Sequence, residues 1–414
     1  MSNKLNYLDF EKAIEKSLEL VEPTKLCEKI TINEALGRVL SKDIICKKNL
    51  PSFNNSAMDG FAVRYIDAGK RLSIKKTIFA GDKIKDDDFL KEDECYKIMT
   101  GAKVPLLVDT IVPFENCEDI DENSVKIPDN LKKGANLRFK GEELKEGEII
   151  LKKGEEINSS SIAILASQGV MVVEVYKKIS IAILSTGDEL KEPWENADEE
   201  EIYNCNSYAL ISQLKERNFS ATYCGVIPDD LDKSIEFIKN LENYDVIITS
   251  GGISMGEADF VGEAFLKNGL EIAFHGVNIK PGRPILMGKM KSSVVVCLPG
   301  NPLTAMINIF LFVIPMLKKL QGDLKIYHTF VEATNSSEFK TKKGRVNIVL
   351  GKMKNSSFKV ARDNKYGAGM ITVLYENSAI FLSSENISTV NKGDLVKLIL
   401  LNGSFEKEKI DFIN

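Results

Sequence analysis

The sequence predicts a multidomain protein of the α/β plus β class: a central, mainly parallel α/β sheet domain, an inserted β-rich domain and a small C-terminal β-barrel. Three observations carry this prediction. Between residues 179 and 320 apolar strands alternate with amphipathic helices, the pattern of a parallel sheet covered on both faces. Residues 43–174 break instead into short strands punctuated by Gly and Asp, as in GDKIKDDD and EGEIILKKGEEI. After residue 323 short strands return as VNIVL, FKVAR, MITVL, AIFLS and LVKLIL, spaced as in a small barrel or sandwich. At 414 residues the chain has room for roughly two to four domains.

In chain order, Asp9 can cap a helix whose apolar positions Phe10, Ala13, Ile14, Leu18 and Val21 follow the helical period, with Pro23 closing it. Thr31 and Glu34 have capping-box spacing, which predicts a second helix burying Ala35, Leu36, Val39 and Leu40. Strands are expected at 179–184, 221–227, 244–249 and 294–298, and helices near 205–218, 230–241, 259–267 and 303–320. The resulting divisions are 1–45 with 141–177 as a helical and β linker domain, 46–140 as the inserted domain, 178–324 as the α/β domain and 325–414 as the barrel.

Composition narrows the chemistry. A hydrophobic content of 43% and a charged content of 28% fit a soluble globular protein. The net charge of −5 argues against nucleic acid as the main partner. The longest apolar run, 305–317, contains Asn308 and Pro315 and falls short of a membrane span, and the N-terminus carries acids where a signal peptide would be apolar. Seven cysteines, an odd number without a C-x-x-C pair, suit a reducing compartment, and a cytoplasmic protein is expected. Cys224 and Cys297 lie in apolar strands and read as core. The two histidines, His275 and His328, argue against a zinc site or a His-based triad. Chemistry then falls to carboxylates, lysine, hydroxyls, backbone amides or a hard metal ion.

Residues 245–259 read DVIITSGGISMGEAD, an apolar strand ending at Ser-Gly-Gly. Two further strands end alike, in STGDEL at 185–190 and PGNP at 299–302. Each is either an ordinary turn or part of an anion pocket at the carboxyl ends of a sheet, and three together with acids beside two favour a phosphate or oxyanion site. In the β-rich part, PSFNNSAMDGFAV at 51–63 crowds Asn54, Asn55, Ser56 and Asp59 into one loop, either an Asx-type turn or a ligand loop. KIMTGAKVP at 97–105 ends a short strand at Thr100 and Gly101.

PSFNNSAMDGFAV, IMTGAKVP, AILSTGDEL, ITSGGISMGEADF, IKPGRP and LPGNPLTA, in this order, resemble the molybdopterin molybdenumtransferase family, which includes the gephyrin E domain. The resemblance spans nearly the whole chain. It implies an enzyme that takes adenylylated molybdopterin and molybdate, cleaves the pterin–AMP phosphoanhydride in a Mg²⁺-dependent step and leaves molybdenum on the dithiolene. It also implies an elongated homodimer with each site between the α/β domain of one subunit and the inserted domain of the other, and dealings with a molybdopterin adenylyltransferase and molybdoenzyme apoproteins. Nucleic acid and membrane are not expected partners.

The implied catalytic residues are Asp59, Thr100, Glu189, Asp229, Asp259 and Lys280, with Mg²⁺ held by Glu189, Asp229 and Asp259. The implied substrate-binding residues are Ser56, Gly101, Thr186, Gly187, Ser250, Gly251, Gly252, Pro281, Gly300, Asn301 and Pro302. Plainer readings stand beside these: Asp188 with Glu189, and Asp229 with Asp230, also suit helix caps, and Lys280 also suits a solvated surface. Three positions depart from the family pattern, Gly276 and Leu350 where basic residues are expected and Ala368 where a serine is expected. All belong to the oxyanion end, where Arg283, Arg345 and Arg362 are candidate substitutes. A tungstate preference, or a pterin-nucleotide carrier without insertion activity, are the alternative functions.

Overall fold

The alternation of residues 179–320 builds a six-stranded sheet. Its strands are β1 (Ile181–Thr186), β2 (Ala221–Ile227), β3 (Val246–Ser250), β4 (Leu270–His275), β5 (Leu286–Met290) and β6 (Ser293–Leu298), in the order β2-β1-β3-β6-β5-β4. The first four in that order are parallel, and β5 and β4 add an antiparallel edge. Strands β1, β3 and β6 read as near-continuous apolar runs because both their faces are covered. The antiparallel pair escapes a strand-and-helix reading: β4 carries exposed Glu271, and β5 contains Gly288, where a Cβ would lie 2.4 Å from the Glu271 carbonyl oxygen.

This computed structural model describes residues 7–85, 88–252 and 260–401. They fall into a larger unit, Met1–Ser41, Gly154–Asn158 and Val172–Asn414, and a smaller one, Lys42–Lys153 and Ser159–Met171.

In the larger unit, helix α1 (Phe10–Glu19) forms as the sequence predicts, although the Asp9 side chain makes no cap hydrogen bond. The second predicted helix does not form. Residues Cys27–Thr31 are instead a strand paired antiparallel with Val172–Tyr176, and only a 3₁₀ turn, Ile32–Glu34, follows. Thr31 Oγ1 does donate to Glu34 Oε2 at 3.5 Å, but the strand ladder and the left-handed Gly37 (φ +72°) leave one turn for the motif to close.

Residues Pro302–Leu320 form one helical run of 19 residues. It is long and apolar enough to cross a membrane, more than the apolar run 305–317 predicts, yet it is mostly buried inside the protein. A π turn, Ile309–Val313, precedes Pro315, whose missing N–H cannot continue the regular ladder. Phe310, Leu311 and Phe312 of that turn sit in the main core with Ile181, Ile248, Val296 and Leu350.

The barrel comprises β7 (Val331–Asn335), β8 (Val346–Lys354), β9 (Ser357–Val360), β10 (Ala379–Ser383) and β11 (Leu395–Leu400). Pairings β8–β9, β9–β7, β7–β11, β11–β10 and β10–β8 close it, leaving no open edge among these five strands. Phe339, Phe358 and Phe381 pack inside it. A two-residue strand, Ile279–Lys280, pairs parallel with the start of β8.

The smaller unit holds a five-stranded sheet ordered Thr110–Pro113, Gly60–Val63, Glu94–Ile98, Arg71–Ile78 and Ser124–Lys126. Phe61 and Val63 face one apolar cluster and Ala62 the other, the two-residue alternation of a sheet covered on both sides.

Phe312 is fully buried and packs edge-on against Phe10, with ring centroids 5.5 Å apart. Phe312→Ala is expected to cost about 3–5 kcal/mol, read as a lowered urea midpoint.

Candidate functional site

Parallel pairing brings the glycine-rich strand ends level. Ser185 pairs with Ser250, Ser250 with Leu298, and Thr186 with Ile227, so the turns after β1, β3 and β6 and the acids after β1 and β2 share one edge of the sheet. A cleft of about 110 Å³ opens there, lined by Thr186, Glu189, Asn206, Ser250, Gly300 and Pro302 among others.

Glycine permits this convergence. Gly251 (φ +94°) lies so close to Thr186 that a Cβ would stand 2.2 Å from Thr186 Oγ1, and a Cβ on Gly300 would lie 4.0 Å from Gly251 Cα. Thr186 Oγ1 donates to the Ser250 carbonyl at 3.3 Å. The Gly251 N–H is already given to the Leu298 carbonyl at 2.9 Å, so an anion at this turn must draw on other donors. Gly252 also has a left-handed backbone, φ +61°. The Glu189 carboxylate folds back over Gly187, whose missing side chain leaves it room.

Asn206, at the start of helix α2 (Asn206–Lys215), was not singled out by sequence. Its Nδ2 donates to Ser250 Oγ at 2.6 Å and to the Gly300 carbonyl at 2.7 Å. The polar string NCNS at 204–207, just before an apolar helix, was the available signal. Behind it, Glu192 accepts from Tyr208 and Tyr223 hydroxyls at 2.7 Å each and from Asn204 Nδ2 at 3.2 Å. Burial alone would raise the Glu192 carboxyl, but these three bonds outweigh it and hold it below its ordinary range. Burial and the shared carboxylate push both tyrosines up to about 12.

Asp229 follows β2 and is exposed. It is not a cap, because Asp230 accepts the Lys233 N–H at 2.9 Å and caps helix α3 (Leu231–Lys239). Asp259 lies outside the described residues. Among the described residues no group of three or more His, Cys, Asp or Glu is gathered closely enough to hold a metal. Glu189 and Asp229 are nonetheless exposed carboxylates after adjacent strands, and neither is in an ion pair among the described residues. Their oxygens match what a hard cation such as Mg²⁺ takes. Asn301 precedes helix α4 (Pro302–Asn308), with Pro302 in its first turn.

Lys280 is exposed at the seam with the barrel, and Pro281 follows it through a cis peptide. Buried Asn308 donates to the Gly282 and Pro284 carbonyls at 3.0 and 3.2 Å and so pins this turn.

The departures from the family pattern have structural causes. Gly276 has φ +86°, and a Cβ there would stand 2.6 Å from the Tyr7 ring. Arg283 covers that ring at 4.4 Å, while Arg362 is held by Glu376 at 2.9 and 3.0 Å, so both are engaged elsewhere. Arg345 is the remaining candidate, its Nε buried without a hydrogen-bond partner among the described residues. Leu350 faces the core, where an arginine would have no place. The loop containing Ala368 comes close to Asn301, since a Cβ on Gly369 would lie 3.4 Å from Asn301 Oδ1.

In the smaller unit, Asp59 Oδ1 accepts both the N–H and the hydroxyl of Thr100 at 2.7 Å. The backbone bond first, and then the hydroxyl, lower its pKa. Ser56 and Gly101 belong to the same knot: the Gly101 N–H reaches the Ser56 carbonyl at 2.8 Å.

The comparisons match this architecture. Residues 8–169 fit the family model described as MoeA N-terminal region (domain I and II), and residues 182–319 fit the probable molybdopterin binding domain. The molybdopterin molybdenumtransferase of Haemophilus influenzae is 33% identical over 318 residues, covering 76% of this chain and 78% of that one. The protein of the same name from Staphylococcus epidermidis is 29% identical over 390 residues, covering 92% and 93%. The solved molybdopterin biosynthesis moeA protein of Pyrococcus horikoshii superposes with a TM-score of 0.83 at 25% identity, covering 95% of this chain and all of that one.

Thr100→Val is expected to return part of the Asp59 pKa shift toward the ordinary value, leaving the share due to the backbone N–H, as read by carboxyl NMR titration. Gly276→Lys is expected to destabilise the fold by about 1–3 kcal/mol through backbone strain, before any contact with Tyr7, as read by chemical denaturation. Fold, motif order and relatives agree, and the chain belongs to the molybdopterin molybdenumtransferase family.

Proposed function

We propose that the protein is a molybdopterin molybdenumtransferase acting on adenylylated molybdopterin and molybdate, with molybdenum cofactor and AMP as products. The observation that carries this reading is the cleft at the level strand ends, where Thr186, Ser250 and Gly300 meet with Glu189 in the same lining. Exposed Glu189 and Asp229, with Asp259, which follows β3 in the sequence and lies outside the described residues, are the residues that would hold Mg²⁺. When bound, that ion supplies charge neutralisation at the phosphoanhydride. The chain's own part is to bind and orient. The turns at 250–252 and 300–301 receive the phosphate-bearing end of the ligand. Lys280, next to the turn that Asn308 pins, offers a cation to the incoming oxyanion. Asp59, held ionised by Thr100, is a rigid acceptor for a polar group of the substrate.

The altered oxyanion end supports a second reading, a changed preference between molybdate and tungstate. Position 276 is closed by Tyr7 and position 350 faces the core, so anion recognition here rests on a smaller set of cations. The reading also carries a homodimer, suggested by the family resemblance, and a cytoplasmic setting, suggested by the cysteine pattern.

The test is AMP release from adenylylated molybdopterin with molybdate or tungstate. Glu189→Ala or Asp229→Ala is expected to slow release by roughly two orders of magnitude while pterin binding persists. Wild-type protein that binds the pterin nucleotide and releases no AMP with either oxyanion would contradict the transferase reading and leave a carrier.

A further inference from the structure

The Asn206 amide meets two groups of different kinds. The Gly300 carbonyl only accepts, so the atom 2.7 Å from it is the Nδ2 donor, and this fixes the amide's orientation. The same Nδ2 lies 2.6 Å from Ser250 Oγ. Ser250 Oγ is therefore an acceptor toward Asn206, and its own proton is directed to another partner. Ser250 is only 4% exposed, yet it lines the cleft.

Asn206 is itself held from behind. Ser207 Oγ and Ser185 Oγ are 2.7 Å apart, the Ser207 N–H goes to Asn204 Oδ1 at 3.2 Å, and Asn204 Nδ2 reaches Tyr223 at 3.0 Å. Asn204, Ser207 and Ser185 are all buried. Such a supporting layer is what keeps a polar group at one angle.

We propose that Asn206 is a positioning residue that makes the Ser250 hydroxyl a dedicated donor to the phosphate oxygens of the nucleotide-bearing ligand, and that locks the Gly300 turn against the Gly251 turn. The proposal rests on the transferase reading and names how its phosphate end is recognised. It accounts for the donor still offered at a turn whose Gly251 N–H is already engaged.

The test compares wild type with Asn206→Ala, Asn206→Asp, Ser250→Ala and the double variant Asn206→Ala/Ser250→Ala. AMP binding is measured by calorimetry, and the KM for adenylylated molybdopterin is measured beside the half-saturating molybdate concentration. Each single variant is expected to weaken AMP binding and raise the pterin-nucleotide KM by about tenfold. The molybdate requirement should stay unchanged, and the double variant should be no worse than Ser250→Ala alone. Asn206→Asp keeps the size of the side chain and loses the donor, so it decides the matter should the alanine variant fold poorly. AMP binding within twofold of wild type in Asn206→Asp, fully additive losses, or an equal loss of molybdate affinity would each overturn the proposal. Failure of the transferase reading looks different: wild type itself would release no AMP.

Discussion

The level parallel pairing of β1, β2, β3 and β6 is the constraint on which the site depends. A parallel ladder fixes where each strand stops relative to its neighbours. Pairing Ser185 with Ser250 and Ser250 with Leu298 therefore puts three glycine-rich turns at one edge. A shift of one residue along β3 or β6 would swap its side chains between the two cores, moving Ile248 and Val296 out of one cluster and Ile247 and Val295 into it, and the cost of that mispacking holds the turns in place. Packing energy from the sheet is thus converted into positional accuracy at the cleft.

Much of this was legible in the sequence, and the parts that were not have identifiable reasons. The strands at 246–250 and 293–298 announce themselves because both faces are buried and the residues are mostly apolar. The barrel announces itself through short runs broken by Gly and Asn, although of the five runs MITVL forms a helix, Ile371–Glu376, and not a strand. The edge strands β4 and β5 lack that signature, since an edge tolerates Glu271 and needs Gly288 for close approach. Thr31 and Glu34 do meet as a capping pair, but residues Cys27–Thr31 gain more by pairing with Val172–Tyr176 than by opening a helix. A local motif lost to a long-range ladder.

The site divides in the same way. Glycines at strand ends can be read directly, since Gly187, Gly251 and Gly252 take the positive φ angles that side chains disfavour. Hydrogen-bond allegiance cannot: nothing in the string SGG says that the Gly251 N–H is spent on Leu298, and nothing in NCNS says that Asn206 reaches two other turns. The acids after β2 show the difference within two residues. Both suit a helix start, and geometry alone assigns the cap to Asp230 and leaves Asp229 for other work. Asp259 lies outside the described residues, so the third acid rests on sequence.

The departures at 276 and 350 are built into the packing. Gly276 belongs with Tyr7 and Arg283, and Leu350 belongs with the main core, so neither is a lone substitution awaiting reversal. The most direct measurement of the central claim is a crystal grown with AMP and Mn²⁺, whose anomalous signal reports the cation. The account predicts a manganese peak bonded to Glu189 and Asp229 oxygens, with the AMP phosphate against Ser250 and Gly300. A phosphate bound elsewhere, or a metal peak away from both acids, would contradict it.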